Sequence, residues 1–245
     1  MNIYAHRGNS GFFPENTICS FKKALDLDVY GIELDVHKTK DGVLVVHHDE
    51  TVDRMFDGKG YIKKLTFEQI KELSLKDEEY KDDLDCKIPT LEEVLELIEP
   101  TNLNLNIEIK NNKISYRGIE KDVVALVKKY KMQNRVIISS FNIKSLKKLS
   151  KLSKKIKTAY LVDALTFKRK NLSKILKICK GAKCSYIHPS YDVINKEFVD
   201  EAHKKGLLVQ VYTVNSITIM RKLMKLKVDG VFTNYPKIIN TIVNE

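Results

Sequence analysis

The chain has 245 residues, 43% of them hydrophobic, enough for one sizeable core and typical in length for a single α/β barrel. No apolar run approaches the roughly 20 residues that span a bilayer. Met1 to Arg7 also lacks the basic region and apolar stretch of a secretory signal, so the expectation is a cytoplasmic protein without stable membrane insertion.

The 43 basic and 32 acidic residues give a formal charge of +11. The lysines fall in helical stretches such as 144–157 without interleaved aromatics. This reads as a solvated surface, with no nucleic acid partner expected. The four cysteines, Cys19, Cys86, Cys179 and Cys184, form no C-x-x-C pair and are expected to be free thiols.

Short apolar runs alternate with amphipathic stretches almost from end to end, which implies βα units and parallel strands. Strands are expected near 2–6, 30–36, 43–48, 103–109, 135–140, 157–161, 184–187, 207–212 and 229–233. Helices are expected near 17–27, 91–98, 117–131, 143–152, 171–179, 195–205 and 216–226, with a last one over 236–243. Thr66 with Gln69 and Thr90 with Glu93 fit capping boxes, and Asn142 and Asn195 fit N-caps. No repeat or low-complexity linker marks a second free-standing domain. The charged stretch from 50 to 89, with Gly58, Gly60 and one short helix over 66–73, reads as a small insertion at one end of the barrel, or else as a solvated loop.

Polar residues collect at strand ends. His6, Arg7 and Gly8 follow the first strand. On the second, Gly31-Ile-Glu-Leu-Asp-Val36, Glu33 and Asp35 point the same way because side chains alternate. His47, His48 and Asp49 end the third. In Thr101 to Lys110 the apolar Leu103, Leu105, Ile107 and Ile109 share one face, while Asn104, Asn106, Glu108 and Lys110 share the other. In a barrel the apolar face packs under the helices, and Glu108 and Lys110 approach the C-terminal mouth, where such folds keep their active sites.

Two readings of these acids stay open. Glu33, Asp35 and Glu108 either share a hard divalent cation, Mg²⁺ or Ca²⁺, or form ion pairs with nearby Lys or Arg. Two histidines at strand ends, beside an arginine suited to phosphate oxygens, point to acid–base chemistry on a phosphate ester. His37 and His203 read as surface residues. His188 either lines the mouth or is structural.

Taken together, ordered blocks along the chain resemble the glycerophosphodiester phosphodiesterases. These are His6-Arg7-Gly8, Pro14-Glu15-Asn16-Thr17, Glu33-Leu34-Asp35-Val36, Thr39-Lys40-Asp41-Gly42, His48-Asp49, Pro89-Thr90-Leu91-Glu92-Glu93 and Asn106-Ile107-Glu108-Ile109-Lys110. Ser140-Phe141, Tyr212-Thr213-Val214-Asn215, Val228-Asp229-Gly230-Val231 and Thr233-Asn234-Tyr235-Pro236 continue the likeness over nearly the whole chain.

The resemblance implies a TIM-type (β/α)₈ barrel with a small insertion after the second strand. It implies hydrolysis of a glycerophosphodiester to sn-glycerol 3-phosphate and an alcohol. Glu33, Asp35 and Glu108 would hold one divalent cation. His6 and His48 would be the acid and base, and Arg7 and Lys110 would contact phosphate. Tyr212 stands where the family often has Trp, so its packing against substrate would differ. The segment after Arg54 matches less well. Competing readings are a lysophospholipase D-type enzyme on lipid substrates and a noncatalytic binding barrel.

Overall fold

The computed structural model describes residues 1–244. In chain order come β1 (Asn2–His6), α1 (Ile18–Leu25), β2 (Gly31–Lys38), β3 (Leu44–Val46), α2 (Phe67–Lys71), α3 (Leu91–Ile98) and β4 (Asn104–Ile109). They are followed by α4 (Ile119–Lys129), β5 (Val136–Ser140), α5 (Ile143–Leu152), β6 (Lys157–Val162), α6 (Ala164–Lys170) and α7 (Leu172–Ala182). The chain finishes with β7 (Tyr186–Pro189), α8 (Lys196–Lys204), β8 (Leu208–Val211), α9 (Ile217–Leu226), β9 (Gly230–Thr233) and α10 (Pro236–Asn244). No helix of the described residues is long and apolar enough to cross a membrane.

Eight strands run parallel in the order β1-β9-β8-β7-β6-β5-β4-β2, and pairing of β2 with β1 closes them into a barrel. Strand alternation then sorts the side chains. Ile32, Leu34 and Val36 of β2 and Leu105, Ile107 and Ile109 of β4 face outward and pack with the helices in the main core. Each fully buried aliphatic of this kind contributes about 1.5–3 kcal/mol. Inside the barrel, Tyr4, Ile137, Ala159 and Phe232 form a separate apolar cluster that also touches Tyr186 and Tyr212.

The helices are amphipathic coverings. α8 buries Phe198, Val199 and Ala202, spaced for one face, and leaves its charged residues outward. α5 buries Ser145, Leu146 and Leu149 while Lys144, Lys147, Lys148 and Lys151 are exposed, so these lysines form a solvated face. Both expected capping boxes form, at Thr66–Gln69 and Thr90–Glu93, and Asn142 and Asn195 cap α5 and α8.

One expected strand needs correction. The run near 43–48 is not a parallel barrel strand: β3 pairs antiparallel with β2. A five-residue connection cannot cross the sheet, so only a hairpin is open to it. The Asp41-Gly42 turn closes it, with Gly42 at φ 94°. The 50–89 stretch, though charged in sequence, folds around its own apolar cluster of Val52, Phe56, Ile62, Ile70, Leu75, Cys86 and Ile88, which packs on Val45 of β3. Helix α6 was not expected from the sequence. None of its residues is buried, so it leaves no apolar period to read.

Candidate active site

The polar residues of β1, β2 and β4 meet at the C-terminal mouth of the barrel. Register sets Glu33 beside Asn106 and Asp35 beside Glu108, because β2 and β4 are adjacent and parallel. Glu33, Asp35 and Glu108 are all buried, and one oxygen from each lies within 4.8 Å of the others.

β1 delivers His6 next to Glu33. His6 Nε2 is 3.7 Å from Glu33 Oε2, and Nδ1 is 2.7 Å from the Asn234 amide oxygen. With Nδ1–H donating to that oxygen, Nε2 keeps its lone pair. Burial, helped by the neighbouring Arg7 charge, pushes the imidazole down to about 4, so it is neutral at physiological pH.

The chain then turns sharply, with Arg7 at φ 56° and Gly8 at φ 83°. A Cβ at Gly8 would lie 2.4 Å from Ser20 Oγ, so both backbone shape and space require glycine. This turn aims the Arg7 backbone N–H at Glu33 Oε2, 3.0 Å away. The guanidinium lies 3.3 Å from Asp35 through Nε and 3.1 Å from Glu15 through Nη1. Asn16 donates its side-chain N–H to Asp35 Oδ2 at 2.9 Å. Just past β4, Lys110 Nζ is 3.0 Å from Glu108 and 3.4 Å from Asp35.

The ion-pair reading is therefore realised, yet it leaves the cluster short. Three carboxylates face two cations, and the deficit falls on Glu33. Burial and then Asp35 raise the Glu33 carboxyl well above its ordinary range. Burial also raises Glu108, against the pull of Lys110. Burial works to raise Asp35 as well, but Lys110 and Arg7 overcome it and hold that carboxyl far below its usual range. A site that takes up a proton to relieve crowded carboxylates has the chemistry to take a hard divalent cation instead, and an all-oxygen donor set suits Mg²⁺ or Ca²⁺. The residues present fit such an ion.

His48 arrives from the loop after β3. Its Nδ1 is 2.7 Å from Asp49 Oδ1. Asp49 Oδ2 accepts from Arg54 Nε at 2.5 Å, and Arg54 also pairs with Glu15. Burial opposes ionisation of Asp49, but Arg54 and His48 bring it down to about 2. Glu15 thus ties the arginine beside Asp35 to the arginine behind His48. Glu15, Asn16, Asp49, Arg54 and Asn234 received no role from the sequence, although all but Arg54 lie inside the motif blocks.

His6, Arg7, Glu33, His48, Glu108 and Lys110 line one pocket of about 180 Å³. Phe141, Leu161, His188 and Tyr212 form more of its wall. Tyr212 packs edge-on to Phe141, with ring centroids 6.4 Å apart, and its buried hydroxyl has no hydrogen-bond partner among the described residues.

The other histidines divide. His188 is fully buried in the pocket wall, 4.9 Å from the Phe232 ring, and burial pushes it down to about 3. His37 is not a surface residue: it is fully buried, bonded to the Tyr116 hydroxyl at 2.8 Å and to the His48 carbonyl at 3.2 Å. It shares the inward parity of Glu33 and Asp35, which was the missed signal. His47 is buried and bonds the Thr51 carbonyl at 3.1 Å. His203 is exposed and pairs with Asp229 at 2.8 Å.

Comparison with known proteins agrees with this geometry. The model of the glycerophosphoryl diester phosphodiesterase family matches residues 6–238. A glycerophosphodiester phosphodiesterase of Caldanaerobacter subterraneus is 39% identical over 243 residues, covering 99% of this chain and 98% of its own. The crystal structure of a Thermotoga maritima glycerophosphodiester phosphodiesterase superposes with a TM-score of 0.81 at 30% identity, covering 98% of this chain and 97% of that one. An Oleispira antarctica phosphodiesterase in complex with the product sn-glycerol-3-phosphate superposes with a TM-score of 0.83 at 27% identity, covering 100% and 97%. By both sequence and fold, the chain belongs to the glycerophosphoryl diester phosphodiesterase family.

Proposed function

We propose that this protein hydrolyses glycerophosphodiesters to sn-glycerol 3-phosphate and an alcohol, with a divalent cation and two histidines. The observation that carries the reading is a cluster of three buried carboxylates, two of which line one pocket with two imidazoles, Arg7 and Lys110. Four free cysteines fit a reducing, cytoplasmic setting.

Glu33, Asp35 and Glu108 would hold one cation, Mg²⁺ or Ca²⁺, whose charge stabilises the oxygens of the phosphoryl group in the transition state. Arg7 and Lys110 bind the same oxygens and orient the diester. His6, neutral and with Nε2 unprotonated, takes the proton of the attacking hydroxyl. His48, with Nδ1 donating to ionised Asp49, gives its Nε2 proton to the departing alkoxide. Tyr212 packs against the glycerol side. Attack by the glycerol 2-hydroxyl makes a cyclic phosphate visible by phosphorus NMR, whereas direct attack by water makes none.

A second reading, action on lipid-linked substrates, is favoured by one feature. Phe12, exposed at 58%, lines an open groove with Phe13, Met55 and Tyr80 beside Glu15 and Arg54. An assay of the released choline or ethanolamine, which both classes of substrate yield, decides between them. Turnover of glycerophosphocholine and glycerophosphoethanolamine well above that of a lysophospholipid is expected, and the reverse order would replace the first reading with the second.

A further inference from the structure

Away from the mouth, a second group of metal-ligating side chains comes together. Cys19 lies on α1, and Asp83 and Cys86 lie near the end of the 50–89 segment. One ligand atom from each lies within 4.8 Å of the others. Cys86 is buried, Cys19 is half-buried and Asp83 is exposed, so the group has a dry side and an open side. Lys22 stands beside it, paired with Asp85 at 2.6 Å.

We propose that Cys19, Asp83 and Cys86 form a second cation site, for a borderline-soft divalent metal such as Zn²⁺, that joins the 50–89 segment to helix α1. The donor types set the class. Thiolate sulfur prefers Zn²⁺, whereas the carboxylates at the mouth prefer Mg²⁺ or Ca²⁺, so the two sites sort metals by ligand softness. A tetrahedral ion with ligands at about 2.0–2.3 Å holds its donors less than 4 Å apart, and small side-chain rotations close the remaining gap. Loading releases one proton from each thiol to solvent. Two thiolates neutralise the metal's charge, the Asp83 carboxylate adds one negative charge offset by the nearby Lys23, and water takes the open fourth position.

The place of this site gives it a task. Cys19 follows closely on Glu15 and Asn16, which hold Arg7, Arg54 and Asp35. Asp49 and Arg54, which hold His48, lie at the other end of the bridged segment. A metal here braces the second support of the active site without touching substrate. The remaining thiol pair, Cys179 and Cys184, has no third ligand among the described residues and serves as a control.

The test is Co²⁺ titration of the full chain with the mouth carboxylates saturated by excess Mg²⁺. Sulfur-to-Co²⁺ charge-transfer absorption reports thiolate bonds and is blind to carboxylates. One equivalent of Co²⁺ is expected to give this band, and Zn²⁺ to abolish it and raise the unfolding temperature. Cys19→Ser should remove both effects and Cys179→Ser neither. Asp83→Asn should weaken binding at least about 10-fold, the scale of losing even an outer partner of a metal ligand. Since Cys86→Ser sits in a buried cluster and can fail to fold, the half-buried Cys19→Ser carries the decision. No thiolate band in the wild type, or an equal band in Cys19→Ser, would overturn the site.

Discussion

Each of the two histidines is held by a different partner, which underlies the proposed division of roles between them. An amide oxygen, Asn234, adds no charge, so the buried His6 stays neutral and able to accept a proton. A carboxylate, Asp49, holds Nδ1 of His48 and so fixes the orientation of that ring. Replacing His6 or His48 by alanine is expected to lower kcat by about 100-fold or more, the scale of general acid–base groups. Steady-state kinetics on variants with an unchanged circular dichroism spectrum checks this, and near wild-type turnover in either would remove that residue from the chemistry. Sequence alone located His6, Arg7, Glu33, Asp35, His48 and Glu108, because each stands at a strand end or on an alternating face. It gave no role to Glu15, Asn16 or Asn234. Their task is to orient other side chains, which is a matter of distances across the fold and not of a local pattern.

Between elements, the contact that matters most is β2 against β4, since it sets Asp35 beside Glu108. At its lower end Gly31 lets the strands approach: a Cβ there would lie 2.4 Å from the Asn104 backbone oxygen. Gly31→Ala is therefore expected to spread the pair, lower the thermal midpoint and weaken Mg²⁺ or Ca²⁺ binding together. Calorimetry with metal titration tests it, and unaltered affinity in a folded variant would show that the carboxylates do not depend on this register. The barrel strands were readable because buried parallel strands are short apolar runs between helices. β3 was misread as one more of them, since three residues carry no sign of direction. The hairpin lay in the Asp41-Gly42 turn, and His37 in its parity with Glu33 and Asp35.

Across the whole molecule, buried histidines tie stability to pH. His37 and His188 titrate in the unfolded chain near 6.5 but in the fold only near 4 and 3, because burial disfavours their charged forms. Their unfolded forms bind more protons below pH 6.5, so their contribution is intact above that value and falls as pH drops towards 4, by about 1.4 kcal/mol per unit for each group. With the carboxylates held ionised by excess divalent ion, the urea midpoint is expected to be lower at pH 5 than at pH 7. An equal or higher midpoint at pH 5 would mean that these rings are charged or exposed.

The proposed chemistry requires one ion held by residues from two neighbouring strands. Release of glycerol 3-phosphate from glycerophosphocholine, followed in protein stripped by chelator and then supplied with Mg²⁺ or Ca²⁺, tests it most directly. Activity is expected to vanish on stripping, to return with the ion in the wild type, and not to return in Glu33→Gln. Full turnover by exhaustively chelated protein would contradict it.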